Sequence, residues 1–224
     1  MNGSRQTPEK NPTSSTAEGS HLGATLLRVA WLAILLGVVM EILVLLFTAG
    51  SGLVPDLEPI AAAFVQKISW SALVCVGIAI GTAASSARAP LMGLLGFLAA
   101  PIAFDVARTL HQGTAKALEI SGTESAGPPV LLLALIKGIE YACLGAAVGW
   151  IGQRSWGGLA AHASVGLVVG MIFGGVILTL TYSATSPPPP ATDLIPQGVD
   201  ELLFPVGCSL VLFSAEALGK RATR

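Results

Sequence analysis

The sequence predicts an all-α polytopic membrane protein, a bundle of six transmembrane helices. Three observations carry this reading. Of 224 residues, 53% are hydrophobic and only 11% charged, whereas a soluble domain carries about 25% charged residues. Six apolar runs, at 29–49, 68–87, 90–110, 130–151, 158–182 and 202–218, are each about long enough to cross a hydrocarbon core at 1.5 Å per residue. Segments rich in Gly, Pro and Ser separate most of them. The lipid bilayer is therefore the first partner. A net charge of −1 argues against a nucleic-acid binder, whose affinity comes largely from clustered Lys and Arg.

The elements follow in order. Residues 1–24 are rich in Ser, Thr, Pro and Asn without a hydrophobic period, and read as a disordered cytoplasmic tail. The membrane domain then spans 25–219, and residues 220–224 form a basic tail. The first apolar run is longer than a signal-peptide core and sits behind a polar leader, so it is expected to stay as an anchor. Residues 57–64 suggest a short interfacial helix before the second span. Arg88 marks a short turn between spans two and three, and 152–157 another between spans four and five, so each pair should be antiparallel neighbours. The Pro187 to Pro190 run reads as an extended spacer. The sixth run is the least regular, with Asp200 and Glu201 before it and Pro205 in its first turns, where proline is tolerated.

Lys and Arg set the orientation. Arg28, Arg88, Arg154, Lys220, Arg221 and Arg224 fall on one side; Asp56, Glu58, Glu119, Glu124 and Asp193 fall on the other, with Lys67 and Lys116 as basic exceptions. Both termini are expected in the cytoplasm, and the membrane is expected to be the cell membrane.

A shift of 70 residues pairs Lys67 with Lys137, Ala72 with Ala142, Gly96 with Gly166 and Thr109 with Thr179. Shared composition accounts for such pairings as well as a true repeat does. A true repeat would be a parallel two-helix unit whose axis runs along the membrane normal.

Small residues mark helix contacts in lipid. Gly158, Gly166, Gly170 and Gly174 form a stripe on the fifth span, expected to lie at the centre of the bundle or at an interface with a second copy or a larger complex. Gly77 and Gly81, Ala99, Ala103 and Ala107, and Gly138, Ala142 and Ala146 supply similar faces.

Ionisable groups inside a span are expensive, about 3 kcal/mol each on insertion scales, and normally face protein or water. Glu41 lies in the first span, Asp105 and Arg108 in the third, Lys137 and Glu140 in the fourth. The last two pairs are spaced i, i+3, within reach of one another. All five fall in the outer half of the bilayer and are expected to face one pocket, either as ion pairs that fix register or as a binding site. Asp200 and Glu201 would stand at its mouth.

Cys75, Cys143 and Cys208 sit on the inward-running spans, but no metal-type spacing accompanies them, and small buried cysteine is common. His162, on the glycine stripe, reads as a packed residue. No nucleotide loop, nucleophile elbow or zinc motif occurs, so no enzyme activity, cofactor or metal is expected. The expected function is a small transporter or channel-like subunit for an ion, proton or small polar solute. The alternative is a non-catalytic subunit or assembly factor of a larger membrane complex.

Overall fold

A computed structural model of the chain describes residues 13–50, 57–83, 87–119 and 128–222. Six helices cover almost all of them: α1 (Thr13–Gly50), α2 (Leu57–Ile80), α3 (Arg88–Ala117), α4 (Val130–Ile151), α5 (Leu159–Ala184) and α6 (Ala191–Ala222), with a 3-10 turn at Gly81–Ala83 after α2. Each is long and apolar enough to cross a membrane. In lipid a backbone must satisfy its own hydrogen bonds, and a helix does so within one segment. The six-span bundle expected from hydropathy is thus the observed fold.

Two boundaries differ from the sequence reading in ways that matter. α1 begins at Thr13, so the expected tail is helical over its second half; residues 1–12 lie outside the described residues. Extending a helix adds one bond per residue once a nucleus exists, and the long apolar span supplies that nucleus. α6 starts at Ala191 and carries both Pro196 and Pro205 inside it. Asp200 and Glu201 therefore lie within a spanning helix rather than at a mouth. Likewise α2 is continuous from Leu57, so the expected interfacial helix and the second span are one element containing Lys67. α4 matches its predicted limits, between Pro129 and Gly152.

Each helix packs on the next in sequence and α6 returns to α1, closing a ring; α6 also touches α2 and α4 across the middle. Glycines and alanines let the backbones meet. A carbon added at Gly37 on α1 would fall 2.7 Å from the Ile68 Cα on α2. On α3 and α4, Gly93, Gly96, Gly145 and Gly149 interleave, and Gly77 on α2 meets Ala99 on α3. The α5 stripe is used in the same way. Gly166 lies against Pro205 and Val206, and Gly170 and Gly174 against Glu201 and Leu202 of α6. The stripe expected at the bundle centre or an oligomer interface is thus filled within one chain at Gly166, Gly170 and Gly174; Gly158 does not belong to it, since it caps the start of α5 and meets no neighbour within 4 Å. Leu167, Met171 and Ile172 of α5 stay exposed.

The core between the helices holds Met40, Val74, Ile78, Met92, Tyr141, Leu144 and Leu212, all buried. The outside is apolar too: Leu131, Trp31, Leu46 and Ile102 are among the exposed large residues. That inversion of the soluble pattern is what lipid contact requires.

Candidate functional site

Four helices bring ionisable side chains to one level. On α2, Lys67 Nζ lies 2.9 Å from Glu41 Oε2 of α1 and 2.7 Å from Asp200 Oδ2 of α6. On α4, Lys137 Nζ lies 3.0 Å from Glu140 Oε2 and pairs with Glu201 of α6. Each lysine is thus shared by two carboxylates, and α6 supplies one carboxylate to each. The close approach at Gly37 holds α1 on α2 one turn from Glu41, and Gly174 seats α5 against Glu201.

These groups are deep. Glu140 is fully buried and Glu41 is 3% exposed; Asp200, with 29% of its side chain exposed, is the most open of the six. Exposed Trp31, Trp150 and Trp156 lie at the end of the bundle that carries Arg28 and Arg154, and exposed Tyr182 lies at the other, as aromatic residues do at membrane interfaces. Glu41 and Glu140 are each about 15 Å along their helices from that tryptophan level, and Gly174 is about 12 Å from Tyr182. The cluster therefore sits inside the hydrocarbon depth, on the tyrosine side of its middle. A second ionic contact, Arg88 with Glu216, ties α3 to α6 near the tryptophan end.

Charge does not balance among the described residues. Glu41, Glu140, Asp200 and Glu201 face Lys67 and Lys137, a difference of two negative charges when all are ionised. Glu140 Oε1 and the Tyr141 hydroxyl are buried with no hydrogen-bond partner, and unpaired buried polar atoms are costly. A water, proton or ligand is the kind of partner such atoms call for.

Beside the cluster is a cavity of about 150 Å³ lined by Gln66, Lys67, Lys137, Asp200 and Glu201 on one part and by Trp70, Phe104, Ala107 and Phe204 on the other. Trp70 organises the apolar wall. Its ring packs edge-on with Phe104, Tyr141 and Phe204, at centroid distances of 6.4, 5.5 and 6.4 Å. Lys137 Nζ lies over the same ring at 5.8 Å from its centroid, close enough for the ring quadrupole to attract the ammonium.

Of the five residues expected to share a pocket, Glu41, Lys137 and Glu140 meet in this cluster. Asp105 and Arg108 do not join it. Around that level the buried face of α3 carries Ala103 and Ala107, and Asp105, two positions from each, is turned about 200° away from Ala103. It is exposed, Arg108 is half-buried, and no ion pair joins them among the described residues. The sequence reading missed Lys67, Asp200 and Glu201 as interior groups. The 70-residue pairing of Lys67 with Lys137 was the signal that could have found the first.

Other candidates fall into place as packing. The buried His162 ring nitrogen is 2.9 Å from the Gly158 carbonyl and its ring lies 4.9 Å from that of Phe213. Cys75 and Cys208 meet with their sulfurs 3.1 Å apart, and Cys143 is exposed elsewhere. No known protein family, curated protein or solved structure matches this chain.

Proposed function

We propose that the chain is a small membrane transporter for a cation, inorganic or organic, with the acid–lysine cluster as its binding and coupling site. One observation carries this reading: four carboxylates against two lysines, within membrane depth and beside a cavity. In a low dielectric an uncompensated pair of negative charges demands positive partners. Protons or a bound cation complete the set, and one is exchanged for the other as the site is used. Lysines shared between two carboxylates are suited to this, since each can lean toward one acid while the other is occupied. Both termini are placed in the cytoplasm of a cell-membrane protein, following the Lys and Arg asymmetry, which puts the site in the outer half of the bilayer.

The test is flux in proteoliposomes under an imposed pH or cation gradient. Glu140→Gln is expected to abolish flux while the protein still folds, because the isosteric amide keeps the volume but not the exchangeable charge. Exchanging Lys137 and Glu140 by mutation keeps the pair but moves the charges, and is expected to abolish it too. Undiminished flux in both variants would remove the cluster from the mechanism.

A second reading, a non-catalytic subunit of a larger membrane complex, is favoured by Asp105. This exposed carboxylate sits beside Ile102, 61% exposed, on a face of α3 that lipid would otherwise cover. Pairing with a basic or hydrogen-bonding group of a neighbouring protein would relieve a penalty of about 3 kcal/mol. Fixed-ratio co-purification with another protein from gently solubilised membranes, together with absence of flux, would favour this reading over transport.

A further inference from the structure

The cavity next to the cluster has two unlike walls, and their combination narrows the chemistry of what fits. One wall is ionic, with Asp200 and Glu201 as its acids and Lys67 and Lys137 as its bases; the other is aromatic, with Trp70, Phe104 and Phe204. An inorganic cation or a proton has no use for three aromatic rings. A neutral apolar molecule has no use for the charges. An anion would deepen the negative excess of four carboxylates over two lysines, which a cation relieves.

Size points the same way. About 150 Å³ is the volume that holds one benzene-sized ring in a protein interior. The Trp70 ring already holds a cation over it, since Lys137 Nζ stands 5.8 Å from its centroid. The aromatic wall is therefore compatible with an ammonium as well as with a flat apolar body.

We propose, building on the transport reading above, that the cavity binds a small primary ammonium ion with a flat apolar body, and that its entry releases one proton. The ammonium lies at Asp200 and Glu201, and the body lies against Trp70, Phe104 and Phe204. The exchange balances: the cation enters the acid–lysine cluster, a carboxyl group of the cluster loses its proton to the medium, and the net charge of the site is unchanged. The groups that face this exchange are Glu41 from α1, Lys67 from α2, Lys137, Glu140 and Tyr141 from α4, and Asp200 and Glu201 from α6. Among the described residues α3 lines the cavity with Phe104 and Ala107, with His111 one turn beyond Ala107, its Nδ1 buried and unpartnered, and α5 brings Gly174 against Glu201.

The experiment uses the full-length protein in detergent at neutral pH with benzylamine as the probe, and benzyl alcohol, benzoate and sodium ion as its comparators. Thermal unfolding reports binding, and a pH dye in weak buffer reports proton release. Benzylamine is expected to raise the unfolding temperature by several degrees at millimolar concentration and to release about one proton per site. Benzyl alcohol, benzoate and sodium are expected to do neither. Phe104→Ala, which leaves every ion pair intact, is expected to weaken benzylamine about tenfold; Asp200→Asn combined with Glu201→Gln is expected to abolish proton release. Equal binding of benzyl alcohol or tighter binding of benzoate would overturn the proposal. A response to sodium alone, or cation flux in proteoliposomes without any benzylamine effect, would overturn it while leaving the transport reading standing. Absence of both flux and every ligand effect would remove the two together.

Discussion

Asp200 and Glu201 are consecutive on α6, yet each holds a different lysine: Asp200 takes Lys67 of α2 at 2.7 Å, and Glu201 takes Lys137 of α4. Neighbouring positions on a helix point about 100° apart, so α6 presents one acid to each side. It becomes the element on which two acid–lysine–acid groups join into one cluster. Its two prolines do not prevent this. Pro205 has no N–H to offer the Glu201 carbonyl one turn back, and at that level Gly170 and Gly174 of α5 let the helices close against Glu201.

The cluster predicts unequal losses. Lys137→Met strands Glu140, which is fully buried and has no other ion-pair partner among the described residues. Removing one member of a buried pair costs about 3–5 kcal/mol, so this variant should unfold far more easily in detergent. Asp200→Asn should cost much less, since Lys67 keeps Glu41 at 2.9 Å, Asp200 is the least buried of the six, and the amide lowers the cluster's excess of negative charge. Denaturation of the two purified variants decides it; similar losses would mean that the buried pair is not a structural anchor.

The α5 stripe gives a positional test. Gly170→Leu must push α6 away at Leu202, an overpacking worth about 1–3 kcal/mol or more. Gly175→Ala, one position past the stripe, meets nothing within 4 Å and should be neutral or slightly stabilising, as glycine to alanine is in a helix. Leu167→Ala, at an exposed position, should have little effect. The three are compared by heat denaturation in one detergent, and equal behaviour of Gly170→Leu and Leu167→Ala would detach the stripe from α6.

Orientation is open to chemical labelling. A cysteine placed at Lys116, at the far end of α3 from Arg88, should react with an impermeant maleimide from outside intact cells. One placed at Arg154 should react only after the membrane is opened. The reverse pattern would turn the bundle over and put the cluster in the inner half.

The spans were legible because an apolar run of about 20 residues has few other uses. The interior charges were only half legible. Glu41, Lys137 and Glu140 stand well inside their runs, and a buried partner was the natural inference. Lys67 stands just before its run, and Asp200 and Glu201 just before theirs and ahead of Pro205, so hydropathy alone leaves them in loops; their partners lie on other helices and emerge only in the fold. Asp105 and Arg108 failed for another reason. A helix with apolar residues all round does not declare its inward face, and i, i+3 spacing is as favourable facing outward as inward. On α3 the deciding feature was the alanine face of Ala103 and Ala107, which packs inward because it is small.

The pairing of α2 with α6 offers the sharpest check of helix register. Lys67 meets Asp200, Trp70 meets Phe204 and Cys75 meets Cys208, so the two helices run in parallel and in step over about 12 Å. The two sulfurs lie 3.1 Å apart, about 1 Å from bonding distance. Iodine, which partitions into apolar phases, should oxidise them in a Cys143→Ser variant: two S–H bonds break, one S–S bond forms, and iodine is reduced to iodide with release of two protons. Thiol titration after denaturation should then find no free thiol, and a reductant should restore two. Adding Cys75→Ala should leave one thiol untouched by the treatment. Two thiols surviving oxidation in the Cys143→Ser protein would mean that α6 does not lie in this register against α2, and the pairing of Lys67 with Asp200 would fall with it.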